Sequence, residues 1–130
     1  MKDAVTDTSE MIRHMAPVLV DGTFQFRSFT TMAEATPYLG DAKAVFHEAE
    51  GVSLLMPCEP DSANVMRHIM LLGPCSLDAV GLTAAASAAL AAEGIPCNMI
   101  AAYHHDHIFV PAEDAKRAVE ILRARAAQEA

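Results

Sequence analysis

The sequence predicts an α+β fold, an antiparallel sheet with helices on one face, built from two successive halves. Three observations predict it. β-rich runs bounded by Gly, Pro, Asn or Asp alternate with helical stretches in the order α-β-β-α-β, then β-α-β-β-α. A turn-rich stretch, Pro57-Cys58-Glu59-Pro60-Asp61-Ser62-Ala63-Asn64, lies near the midpoint. Charge is also uneven, net −6 over residues 1–65 and net −2 over residues 66–130.

The first half opens on a short helix. Asp7 and Glu10 have capping-box spacing, and Met11, Ile12 and Met15 lie on one side before Pro17 ends it. Val18-Leu19-Val20 and Thr23 to Phe29 read as two strands of a hairpin. Asp21-Gly22 between them carries the type I′ signature, in which both turn residues need positive φ. Residues 30–40 fit no single pattern. Asp41 to Glu50 reads as a short helix stopped by Gly51, and Val52 to Met56 as a strand ended by Pro57.

In the second half, Met66 to Leu72 is a strand, polar at Arg67-His68 and buried from Ile69 on, broken by Gly73-Pro74-Cys75-Ser76. A helix of high propensity starts at Leu77 or Gly81 and runs to Glu93, with Gly94 as its C-cap. Ile95 to Tyr103 is a strand, His104-His105-Asp106 a turn, and His107 to Val110 the returning strand. Pro111 suits the first turn of a last helix, whose stripe of Ala115, Ala118, Val119, Leu122 and Ala126 faces the core. Each half is one strand short of a ferredoxin-like βαββαβ unit. The strand at 52–56 is expected to pair with the one at 66–72 and to serve as the edge that the second half lacks.

Composition bounds the function. A chain of 130 residues holds one ordinary domain or two small ones, and 52% hydrophobic residues is too apolar for disorder. A net charge of −8 argues against a nucleic-acid groove, which needs a basic stripe. No apolar run reaches the ~18 to 20 residues of a membrane span. Asp3, Asp7 and Glu10 stand where a signal peptide carries positive charge. Cys58, Cys75 and Cys97 form no CxxC pair and read as free thiols of a reducing cytoplasm, the expected location.

Gly81-Leu82, Leu90-Ala91 and Gly94-Ile95-Pro96-Cys97-Asn98-Met99-Ile100 together resemble the ACT domain, a regulatory βαββαβ module that binds amino acids. The wider chain is similar to small free-standing bacterial proteins made of two ACT-like units. Pro17 to Phe24, Glu48 to Val52 and His105 to Pro111 carry that likeness. Val80 stands where many ACT domains have proline, and residues 73–80 form a longer loop before the helix. The resemblance implies tandem ACT-like (ferredoxin-like) units, an incomplete N-terminal one over residues 1–60 and a C-terminal one over 61–130. It implies a ligand between the loop before the helix (Ser76, Val80, Gly81, Leu82) and the second strand of a partner unit (Asn98, Met99, Ile100). It further implies a non-enzymatic amino-acid sensor; the uninterrupted β-pattern of Ile95 to Ala102 beside an alanine-rich helix adds self-association, and the acidic charge and short apolar runs argue against a nucleic-acid or membrane partner. A structural module acting through sheet pairing without a ligand is the alternative.

Gly81 has two readings: a bare backbone that lets helix-start amides meet a carboxylate, or a turn needing positive φ. Asn98 has two as well. Its amide can meet both ends of an amino acid, or bond neighbouring backbone. His104, His105, Asp106 and His107 offer metal-type ligands, but neighbours in a strand point to opposite faces, so the bland reading is a polar hairpin tip with Asp106 bonding the turn backbone. Cys75, Ser76 and Cys97 lack any nucleophile motif, and Glu48 and Glu50 diverge on a helix, so no catalytic residue, metal or cofactor is assigned.

Overall fold

The computed structural model describes residues 8–73 and 81–129. Its elements are α1 (Thr8–Arg13), β1 (Pro17–Phe29), α2 (Met32–Ala35), β2 (Ala44–Glu48), β3 (Gly51–Pro57), β4 (Met66–Leu71), α3 (Leu82–Ala92), β5 (Asn98–Ala101), β6 (Asp106–Pro111) and α4 (Ala115–Ala127). Short 3-10 turns cover Thr36–Tyr38 and Ala112–Asp114. The strands form one six-stranded antiparallel sheet in the order β2-β3-β1-β4-β6-β5. Two compact units divide the chain, one of residues 1–21 and 67–130, the other of residues 22–66.

The first unit holds α1, the start of β1, β4, α3, β5, β6 and α4. Its core forms because every second residue of β4 and β6 faces the helices: Ile69, Leu71, Ile108 and Val110 meet Leu82, Ala86 and Leu90 of α3 and Ala118, Val119 and Leu122 of α4. Met11 and Ile12 of α1, with Met15 just after it, join this core. Each such fully buried large side chain contributes about 1.5–3 kcal/mol. The expected stripe of α4 is present, with Ala126 only partly buried at its end. Gly94 closes α3 as expected; its amide bonds the Ala91 carbonyl and that of Ile95 the Leu90 carbonyl. Pro111 ends β6 and precedes the 3-10 turn that leads into α4. The capping role of Asp7 lies outside the described residues.

The second unit is β1 from Gly22 onward, α2, β2 and β3. Residues 30–40 resolve into α2 and its 3-10 extension. Thr31 caps α2 through the Glu34 amide while the Glu34 carboxylate accepts from the Thr31 amide, a complete capping box. Phe29, Ala35, Val52, Leu54 and Met56 form its core.

Three expectations are corrected. There is no hairpin at Asp21-Gly22: β1 is one strand of 13 residues running through it. Gly22 alone takes a positive φ, +109°, where a type I′ turn needs two such residues, so the chain stays extended. Residues 44–48 are a strand, not a helix. Val45-Phe46-His47 pair with Leu54-Ser53-Val52, and Ala49-Glu50 form the two-residue turn between Glu48 and Gly51. Finally, β3 pairs with β1 and β2 rather than with β4. The strand that completes the first unit is the beginning of β1, next to β4 in the sheet. The burial pattern of β4 also differs from expectation, with His68 buried and Leu72 half exposed.

Candidate functional site

The loop-and-helix half of the expected site sits at the start of α3. Gly81 has φ +102° and serves as the N-cap, with no side chain capping the helix. Its carbonyl accepts from the Ala85 amide at 2.8 Å. A Cβ on Gly81 would come within 2.5 Å of Thr8 Cγ2 and 3.1 Å of Thr8 Oγ1. Both the backbone conformation and the approach of α1 therefore call for glycine. Leu82 is 5% exposed and its side chain belongs to the core, so only its backbone faces the helix start. Ser76, Val80 and Cys75 lie outside the described residues.

The strand half is β5, an end strand of the sheet. Its residues alternate between faces. Met99, opposite Ile108, packs with Cys97 against the helix-side core. Asn98, exposed and opposite Phe109, and Ile100, half buried and opposite His107, project from the other face. Within one unit, then, Gly81 and Met99 share the helix side of the sheet, while Asn98 and Ile100 do not.

That other face carries a group of aromatic and polar side chains. His68 on β4 is 3% exposed, stacked on the Phe109 ring with centroids 4.5 Å apart and planes 9° from parallel. Its Nε2 lies 2.8 Å from His107 Nδ1 on β6, so one ring donates and the other accepts. His105 meets His107 edge-on at 6.4 Å between centroids, and exposed His104 meets Tyr103 in the same manner at 5.0 Å. Asp106 is not a turn residue as expected. It opens β6 opposite Ala101 and is 7% exposed. Burial raises its carboxyl pKa, and the nearby His107 and His105 pull it down. Among the described residues no group of three or more His, Cys, Asp or Glu side chains converges to hold a metal ion. Reading the sequence missed His68, because its partner lies on a strand made adjacent only by the sheet order.

The remaining nucleophile candidate, Cys97, is partly buried. Burial pushes the Cys97 thiol up, away from the thiolate that nucleophilic chemistry needs. Glu48 accepts from the Ser53 hydroxyl across the β2–β3 ladder, and Glu50 sits in the turn.

Among the described residues no helix is long and apolar enough to cross a membrane. A search of curated proteins finds no match. Among solved structures, the chain is similar to a protein of unknown function from Vibrio cholerae, described as a possible transport protein. The two are 34% identical with a TM-score of 0.76, covering 88% of this chain and 92% of that one. A protein from Agrobacterium tumefaciens shares the fold at 16% identity and a TM-score of 0.67, covering 85% of this chain and 88% of that one. Escherichia coli aspartokinase III, solved with aspartate and ADP, shares it at 18% identity and a TM-score of 0.61, covering 85% of this chain but 33% of the kinase. The ACT domain pattern matches twice, over residues 3–68 and over residues 62–124. ACT domains generally bind amino acids in regulatory proteins. With two matches that together run the length of the fold, the chain belongs to the ACT domain family.

Proposed function

We propose that this protein is a non-enzymatic sensor that binds a small amino acid at the start of α3, with residues 1–60 as its N-terminal unit and 61–130 as its C-terminal one. The observation that carries the reading is the left-handed Gly81 opening an eleven-residue helix whose first turn has no side-chain cap. The amides of that turn and the helix macrodipole favour a carboxylate. Ser76, Val80, Gly81 and Leu82 would line one side. Because Asn98 and Ile100 leave the sheet on the opposite face from α3, the other side comes from Asn98, Met99 and Ile100 of a second copy. The site is thus complete only in a homo-oligomer, and a cytoplasmic setting suits its free thiols. Aspartokinase III, solved with aspartate, supports an amino acid as ligand by likeness of fold.

A thermal-shift series over the twenty amino acids tests the reading. One amino acid at 100 times its Kd should add about 2.7 kcal/mol of stability. No shift with any of them would overturn it.

A second reading, a ligand-free module that pairs sheets, is favoured by β2. This end strand leaves Phe46 69% and Val45 39% exposed. Self-association unchanged by every amino acid would support it.

A further inference from the structure

A cavity of about 390 Å³ opens in the first unit between the end of α1, the beginning of β1 and α4, lined by Arg13, Ala16, Pro17, Val18, Arg123 and Ala126. Its volume is in the range that holds small organic ligands. It owes its shape to the chain reversal after α1. Ala16 takes φ +50°, rare for a residue with a side chain, and Pro17 follows at once as the first residue of β1. Ala126, one turn beyond Arg123 on α4, adds a small side chain to the lining.

The charges around it are unevenly matched. Arg117 and Arg125 of α4 each have a carboxylate, Asp114 at 3.4 Å and Glu129 at 2.8 Å. Arg13 has Glu10 at 2.5 Å. Among the described residues no carboxylate pairs with Arg123; its guanidinium reaches the Pro17 carbonyl at 3.5 Å, the limit of a hydrogen bond. Arg27, Lys43, Arg67 and Lys116 likewise pair with no carboxylate among the described residues, and Arg123 is the one of these cations that lines the cavity. Arg123 is exposed, and its guanidinium presents a planar fork of donors suited to a carboxylate or a phosphate.

We propose that this cavity binds a small organic anion, its oxyanion head on Arg123 with Arg13 beside it and a short apolar tail on Val18 and Ala126. The site is separate from the start of α3 and does not depend on the amino-acid reading.

The test is a titration of the ¹⁵N-labelled protein at constant ionic strength with butyrate, acetate and inorganic phosphate. Saturable shifts of the Ala16, Val18 and Ala126 amides are expected with butyrate, which should bind more tightly than acetate. Saturation by phosphate as well would extend the head group from carboxylate to phosphate, and no shift with butyrate, or butyrate shifts that fail to saturate, would overturn the proposal. Arg123→Gln is expected to weaken binding at least tenfold, and equal affinity in that variant would also overturn it. Ala126→Leu keeps the charge and fills the cavity. If Arg123→Gln does not fold, loss of butyrate saturation in Ala126→Leu upholds the site and unchanged saturation rejects it.

Discussion

The Nε2 of His68 lies 2.8 Å from the Nδ1 of His107, joining β4 to β6 through their side chains as well as through the sheet. His68 also lies flat on Phe109, so one buried imidazole ties two residues of the neighbouring strand. Its worth divides into ring packing and a hydrogen bond. His68→Ala removes both and is expected to cost about 2–4 kcal/mol in urea unfolding. His68→Phe keeps the stack and loses the bond to half-buried His107, at about 0.5–1.5 kcal/mol for that bond. Equal costs for the two variants would mean that the stack contributes nothing.

Asp106 next to this pair gives a pH signature. Its folded pKa is raised by burial, against the pull of His107 and His105, while the unfolded value stays near the usual ~3.9. Between the two values the folded state holds more protons than the unfolded one. Stability contributed by this group is therefore present at low pH and lost as pH rises through the folded value. Asp106→Asn, neutral throughout, should gain stability relative to the wild type as pH rises above the ~3.9 of a free carboxyl. A difference that stays flat as pH rises would remove Asp106 as its source.

What the sequence reveals, and what it conceals, follows from the range of the interactions. The core face of α4 is legible because Ala118, Val119 and Leu122 repeat at a local period, and Gly94 marks the end of α3 for the same reason. Val45-Phe46-His47 resist such a reading: the alanines and acids around them favour a helix, and the strand exists because Leu54, Ser53 and Val52 offer a ladder. Asp21-Gly22 has the local chemistry of a turn, yet pairing of Phe24 to Phe29 with Pro57 to Val52 holds β1 extended. At the candidate site, Gly81 is legible as special. That Thr8 presses on it is not, since only the packing of α1 brings the two together.

The end strand β2 yields a prediction about assembly. In the ladder, Phe46 faces Ser53 and Ser53 faces Ser28, while Phe26 faces Leu55, so exposed Phe46 and Phe26 lie on the same face of the second unit. End strands with exposed aromatic residues invite pairing with another copy, and an added charge blunts them. Light scattering at tens of micromolar should show at least a dimer, and Phe46→Lys should weaken it at least tenfold. A dimer of unchanged strength would assign the interface elsewhere, with β5 as the other end strand.

Gly81 separates folding from binding. A side chain there meets two costs: a φ of +102°, worth about 1–2 kcal/mol or more against an L-residue, and a Cβ within 2.5 Å of the Thr8 methyl. Thr8→Ser removes that methyl and leaves the backbone cost untouched. Gly81→Val is therefore expected to lose stability, and Thr8→Ser in the same chain to return part of it. Binding should behave differently. If the first-turn amides of α3 hold the carboxylate of an amino acid, the valine side chain obstructs them whether or not Thr8 gives way. Affinity should then stay at least tenfold down in the single and the double variant, a loss of ~1.4 kcal/mol, by calorimetric titration of protein shown to be folded. Stability recovered together with affinity would make the contact with Thr8 the sole reason for glycine. Affinity at the wild-type level in either folded variant would remove the start of α3 from the site, and the ligand would then have to meet the sheet face that carries Asn98 and Ile100.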